Sequence, residues 1–183
     1  MQPSAETISF SCNFPAALPL YIMNNFVIRP IQEKDNKTIA QIIRATLEEF
    51  GANHPGTVYF DPTTDHLYEL FQTPQSAYWI VEDEQGILGG GGIFPTKGLP
   101  QGTCELVKLY LLPRSRGKGM GKLLMDKCHN QAKEFGFTNI YLETMPELTI
   151  AVPLYEKMGY QYLDGPLGES GHFGCAIQMM KSL

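Results

Sequence analysis

The 183-residue chain lacks the features that would place it in several large protein classes. Its four cysteines, Cys12, Cys104, Cys128 and Cys175, are scattered, with no CxxC pair and no histidine at ligand spacing. That speaks against a disulfide framework or a structural metal and for a reducing, cytoplasmic compartment. No apolar run approaches the ~20 residues that span a membrane, and the first residues lack the basic stretch of a secretory signal. Charged residues make up only 18% of the chain and the net charge is −5, so there is no general basic face for nucleic acid. Internal repeats and low-complexity linkers are absent as well. What remains is 43% hydrophobic and of a length that one domain with a substantial core uses.

Against that background one stretch organises the chain: Cys104 to Leu124, CELVKLYLLPRSRGKGMGKLL. The run Glu105 to Leu112 predicts a strand closed by Pro113. After a basic, glycine-rich turn, Met120, Leu123, Leu124, Cys128, Ala132 and Phe135 recur at three- and four-residue spacing. That periodicity predicts an amphipathic helix stopped at Gly136. A turn at a helix N-terminus offers unpaired backbone N–H groups and the positive end of the helix dipole, which favours an anion. Gly117, Gly119 and Gly121 keep side chains off that backbone, and Arg114, Arg116, Lys118 and Lys122 add positive charge. This is the pattern of a cradle for one small polyphosphate. A Walker loop is ruled out because Leu123 follows Lys122, and the dinucleotide pattern G-x-G-x-x-G lacks its last glycine.

Arg116-x-x-Gly119-x-Gly121, behind a strand ending in Leu-Leu-Pro, closely resembles the acyl-CoA-binding motif of the GNAT superfamily of N-acyltransferases. LYEKMGY, Leu154 to Tyr160, resembles the second signature of that superfamily, and NNFVIRPI resembles its opening strand. The resemblance implies an α/β (α+β) fold with a central, mostly antiparallel mixed sheet of about seven strands and about four flanking helices. It implies a GNAT domain over residues 25–183, preceded by an extension over residues 1–24. It also implies acetyl-CoA (coenzyme A) as cofactor. Arg116, Gly117, Lys118, Gly119, Met120, Gly121 and Lys122 would then surround its phosphates. Leu109, Tyr110 and Leu111 would pair with its pantetheine arm as with an added strand.

Two positions depart from the superfamily pattern. Leu148 stands where an asparagine often contacts CoA, so that contact is missing. Pro153 falls where a helix should be under way. An interior proline costs ~3 kcal/mol, so the predicted helix Leu148 to Met158 should begin late, with Pro153 in its first turn, or be kinked.

The remaining elements follow from pattern. Phe26 to Ile31 predicts a strand, and Ile39, Ile42, Ile43, Leu47 and Phe50 a helix stopped by Gly51. Gly51 to Thr64 is too irregular for a core element and leads to a short helix around Asp65 to Phe71. By resemblance this region shapes the acceptor pocket, where His54, Tyr59 and Phe60 either line the pocket or only pack the loop. Ala77 to Glu82 and Ile87 to Phe94 predict a hairpin. Its four glycines, Gly89 to Gly92, mark a bulge, a close backbone approach or a flexible kink. Asn139 to Thr144, the segment GYQYL and the tail Gly171 to Met180 predict the last strands.

Acyl transfer to an amine needs a base, an oxyanion donor and a proton for the departing thiolate. Glu105 is the leading base, at the place of a catalytic glutamate in GNAT enzymes, with Glu143 and His172 as fallbacks. The resemblance gives the oxyanion to the Leu109 backbone N–H and the proton donation to Tyr155. The expected activity is transfer of acetyl from acetyl-CoA to a small-molecule or amino-acid-like amine by direct attack on the thioester. A non-catalytic acyl-CoA sensor and a protein or peptide (lysine or N-terminal) acetyltransferase are the alternatives. Asp61, Asp65 and Glu69 would suit a lysine-rich segment, while the aromatics beside them favour a small acceptor. No nucleic-acid or membrane partner is expected. The superfamily often forms homodimers, and Ile8, Phe10, Phe14, Leu18, Leu20, Tyr21 and Ile22 make residues 1–24 apolar for a tail. The segment is either an extension from an upstream start or an arm that packs across its own domain or a neighbouring subunit.

Overall fold

The computed structural model describes Tyr21–Met23 and residues 26–183. Most of the expected N-terminal arm, with Cys12, lies outside the described residues. The described piece Tyr21–Met23 (β1) pairs antiparallel with Phe26–Pro30 (β2). The chain continues through Asn36–Glu49 (α1), Leu67–Leu70 (α2), Ala77–Asp83 (β3), Gly86–Phe94 (β4) and Thr103–Leu111 (β5). It ends with Met120–Glu134 (α3), Asn139–Thr144 (β6), Ala151–Lys157 (α4), Gln161–Tyr162 (β7) and Ile177–Ser182 (β8).

The eight strands run in the order β1-β2-β3-β4-β5-β6-β8-β7. All neighbours are antiparallel except β5 and β6. This is the expected mixed sheet, with β1 added from the segment assigned to the extension. Its two faces carry separate cores. On one, Ile39, Ile43 and Leu47 of α1 pack with Leu67, Tyr78 and Ile80. On the other, Leu124, Met125 and Cys128 of α3 pack with Trp79, Val81 and Leu106. Cys104, Cys128 and Cys175 are buried and free.

Helix ends follow local chemistry. After α3, Gly136 N–H donates to Lys133 O at 2.9 Å and Phe137 N–H to Ala132 O at 3.0 Å, the paired bonds of a Schellman stop. The same pairing closes α1 at Gly51–Ala52 and α4 at Gly159–Tyr160. As expected, α4 begins late. Pro153 is its third residue, where no intrahelical N–H bond is needed. The start of α1 is tied to the sheet by Arg29, whose guanidinium forks between Asp35 at 2.6 Å and Glu82 at 2.7 Å. The last strand departs from expectation. Residues 171–176 form a loop, because their backbone turns on itself (Cys175 N–H to His172 O, 3.0 Å) and pairs with Gly56 rather than with a strand.

The glycine run in β4 is both a close approach and the partner of a bulge. Gly92 faces Val107 and Gly90 faces Tyr110, so one β4 residue opposes two of β5, Lys108 and Leu109. Lys108 takes φ +52° to make this possible. The Tyr78 ring of β3 lies across Gly90 and Gly92, and its hydroxyl donates to Lys108 O at 2.9 Å. A Cβ on Gly92 would stand 2.4 Å from Ala77 O and 2.7 Å from the Tyr78 ring.

Gly92→Ala should therefore destabilise the fold by ~1–3 kcal/mol, as overpacking of a tight core does. Gly165→Ala, where an added Cβ meets nothing within 4 Å, should stay within about 0.5 kcal/mol of wild type. Equilibrium denaturation of both variants checks the contrast; equal stabilities would contradict the close approach.

Candidate active site

β5 ends in the glycine turn, and Gly119 caps α3 with φ +78° while Gly117 sits at φ +71°. An added Cβ at either meets nothing within 4 Å, so the backbone here faces open space. These residues line a cleft of about 400 Å³ with Leu109, Tyr110 and Leu111. Met120 and Lys122 line it as well. Gly121 lines the same cleft and has a second role: an added Cβ would stand 3.2 Å from Leu154, so its absence lets α4 pack against α3. Lys118 lies in the turn between the two positive-φ glycines.

The cradle is less electropositive than its sequence suggests. Arg116 makes a double contact with Glu49 at 2.6 and 2.7 Å and sits over the Phe50 ring. Arg114 pairs with Asp83 and Lys122 with Asp126. With three of the four basic side chains engaged, an anion would rely on the α3 N-terminal amides more than on free cations.

Deeper in, β5 pairs with β6 only over Thr103–Glu105 and then leaves it. At this fork Glu105 is 4% exposed. The Thr96 hydroxyl donates to its Oε2 at 2.5 Å. The structure brings all three candidate bases together: ligand atoms of Glu105, Glu143 and His172 lie within 4.8 Å of one another. Glu143 is held by the Tyr141 hydroxyl at 2.8 Å and the Ser170 hydroxyl at 2.6 Å. Burial pushes the Glu105 carboxyl up to about 7; the Thr96 bond opposes the rise and the Glu143 charge adds to it. Tyr155, also buried, lines the same narrow space, and burial raises its phenol above the usual value. The phenol therefore keeps its proton at neutral pH.

Sequence reasoning missed the residue beside them. Lys108, brought round by the bulge, is buried and meets Asp61 at 2.5 Å. His172 Nε2 lies 3.3 Å from the same carboxylate oxygen. Burial alone would raise the Asp61 carboxyl, but His172, Lys108 and Thr63 hold it well below the usual carboxylate range. Burial pulls the Lys108 ammonium down, with Asp61 opposing. The available signal was a lysine inside an apolar strand, at a site where alternation alone could not assign its face. Of the loop residues His54, Tyr59 and Phe60, only Phe60 lines a second cleft, with Glu105 and Lys108. Tyr59 instead donates to Glu48 at 2.6 Å, and His54 lies against Pro55 O.

A carboxyl raised by folding stabilises the protein while it is protonated. The contribution is present below about pH 4.5 and is lost as pH rises through about 7. Glu105→Gln should remove that loss, gaining on the order of 3 kcal/mol relative to wild type between pH 5 and pH 8. Urea denaturation at the two pH values reads it; a constant difference would show that Glu105 is not perturbed by burial.

A sequence profile of the Acetyltransferase (GNAT) family matches residues 39–160. The uncharacterized N-acetyltransferase YjgM of Escherichia coli K12 is 41% identical over 167 residues, covering 88% of this chain and all of that protein. Among solved structures, a GNAT-family acetyltransferase from Staphylococcus aureus Mu50 superposes with TM-score 0.77 at 19% identity, covering 86% of this chain and 99% of the other. YncA of Salmonella typhimurium, a putative acetyltransferase solved with its cofactor acetyl-CoA, superposes with TM-score 0.66 at 20% identity, covering 87% and 95%. At those identities the structural likeness speaks for the fold, while the profile and the bacterial relative speak for descent. No described helix is long and apolar enough to cross a membrane. The strand, glycine turn and helix of the cradle, the late-starting α4 and the acid at the fork all belong to a chain that is a member of the GNAT family of acetyltransferases.

Proposed function

We propose that this chain transfers an acetyl group from acetyl-CoA to the amine of a small acceptor, with Glu105 as general base. The observation that carries the reading is the place of Glu105. It lies in the narrow space between the cradle cleft and a second cleft walled by Phe60, Asp61 and Lys108. That narrow space shares Leu109 and Tyr110 with the cradle cleft, and Glu105 and Val107 with the second. The narrow space thus lies between the two clefts, and its buried acid, which also lines the second, has a proton poised near neutrality.

The fit of the cradle to coenzyme A rests on its open, side-chain-free backbone at Gly117 and Gly119 and on the α3 amides. When bound, acetyl-CoA supplies the acetyl thioester and a thiolate leaving group. Glu105 takes a proton from the acceptor ammonium, leaving the nitrogen lone pair free to form the new C–N bond. The Leu109 N–H, on the part of β5 that has left β6, supports the negative charge that develops on the carbonyl oxygen. Tyr155 delivers its proton to the departing sulfur as the C–S bond breaks, and the second proton that the nitrogen loses as the amide forms restores the phenol. Lys108 and Asp61 hold His172 beside Glu105, so the base keeps a fixed electrostatic setting. The cytoplasm is the compartment that scattered, free cysteines fit, and a homodimer remains part of the proposal.

Three measurements test the reading. Gly119→Asp sets a carboxylate against the phosphates, and like-charge contact of several kcal/mol should weaken CoA binding by ~100-fold or more. Unchanged affinity by calorimetry would dismiss the cradle. For wild type, kcat/KM should climb with pH to a break near 7, the value of the Glu105 carboxyl. Glu105→Gln should lose that break and ~10²–10⁴ of rate; an unaltered profile would pass the role to Glu143 or His172. Tyr155→Phe should lower kcat while leaving the affinity for acetyl-CoA near wild type.

A further inference from the structure

The acceptor-side cleft, about 530 Å³, has an unusual rim. Phe173 is 85% exposed and Phe60 58%, two of the four large hydrophobic side chains that are exposed among the described residues. Both line this cleft. An exposed phenyl group stays in water at a cost, so two of them facing one opening call for an occupant. Phe173 is not loosely placed. Its ring rests on Gly56, where an added Cβ would stand 2.5 Å from it, and Gly174 N–H donates to Gly56 O at 2.9 Å. The apolar lining continues inward through Leu70, Phe94 and Val107 to Glu105 at the floor.

The charges facing the cleft are unevenly satisfied. Lys108 is paired with Asp61, His172 shares that carboxylate, and Lys97 is paired with Glu169 at 2.7 Å. Among the described residues, every lysine lining the cleft already has a carboxylate partner. Glu105 has only the Thr96 hydroxyl, with Glu143 close behind it. An acceptor ammonium would meet the Glu105 carboxyl, which no cation bonds directly, whereas a carboxylate beside that nitrogen would meet lysines already paired.

We propose that the acceptor is a primary amine carrying an aromatic body and no carboxylate next to the nitrogen, its ring seated against Phe60 and Phe173. This rests on the acetyltransferase reading above and narrows its acceptor class. Offset or edge-on contacts between rings at 4.5–7 Å favour an aromatic body over a plain chain. The cleft also offers amino acids little, since an α-carboxylate would have to share Lys97 with Glu169 or Lys108 with Asp61.

Thiol release from acetyl-CoA, measured with phenethylamine, phenylalanine, putrescine and a lysine-containing peptide, tests the assignment. Phenethylamine should exceed each of the others at least ~10-fold in kcat/KM, the scale of one buried polar mismatch or one lost ring contact. Phe173→Ala should raise KM for phenethylamine ~5–10-fold while kcat and the KM for acetyl-CoA hold, since the side chain is mostly exposed and absent from the cradle. If phenylalanine, putrescine or the peptide turns over as well or better, the aromatic-amine assignment falls and the acetyltransferase reading stands. An unmoved KM in Phe173→Ala likewise overturns the seat. If calorimetry shows acetyl-CoA bound and none of the amines releases thiol, both readings fall together.

Discussion

The hydrogen bond from the Tyr78 hydroxyl to the Lys108 carbonyl is the contact on which the site's layout depends. Tyr78 belongs to β3 and Lys108 to β5, so the bond must cross the strand between them. It can do so only because Gly90 and Gly92 present no side chain to the crossing ring. In return it pins Lys108 at a positive φ that a lysine would not otherwise hold. The bulge changes which way β5 faces. Before it, Val107 shares the acceptor side with Glu105; after it, Tyr110 packs with the α1 core, while Leu109 and Leu111 turn to the α3 core. One extra residue thus divides a single strand between two clefts.

The same displacement brings a buried ammonium to the acid cluster. Asp61, Lys108 and His172 form a compact set in which each charge has a partner. Removing either Asp61 or Lys108 would strand the other charge in a poorly solvated place, so the pair is best regarded as a fixed frame. Glu105 makes no direct ion pair; its one side-chain hydrogen bond comes from the Thr96 hydroxyl. Its burial and the proximity of Glu143 both favour the protonated form, which is how a carboxyl comes to exchange a proton near neutrality.

On the far side of β5, the cradle depends on backbone rather than on charge. Arg116 is held by Glu49 and Phe50 at the end of α1, tying the turn to a helix on the opposite face of the sheet. That leaves the shape of the turn secured while its amides stay open. A fold does not by itself name a substrate, so the acceptor has to be argued from the site. The second cleft is rimmed by Phe60 and Phe173, from segments outside the cradle, and floored by β4 and β5.

The sequence alone determined what local physics determines. A strand, a proline, spaced glycines and a 3.6-residue period lie within Cys104 to Leu124, so the cradle is legible from that stretch by itself. Helix ends at Gly51, Gly136 and Gly159 are equally legible, as is the late start forced by Pro153, because each needs only near neighbours. Tertiary structure alone decided the rest. Glu105, Glu143 and His172 can be named singly as bases from the sequence, but only folding shows that they share one place. Lys108 escapes notice there because its face depends on a bulge fixed by Tyr78, thirty residues earlier in the chain. Gly121, which lines the cradle as the motif implies, also makes room for Leu154 of α4, and the basic turn is largely neutralised by Glu49, Asp83 and Asp126. Charge pairing, burial and exposure arise from segments far apart in the chain, and no local pattern records which distant side chain arrives.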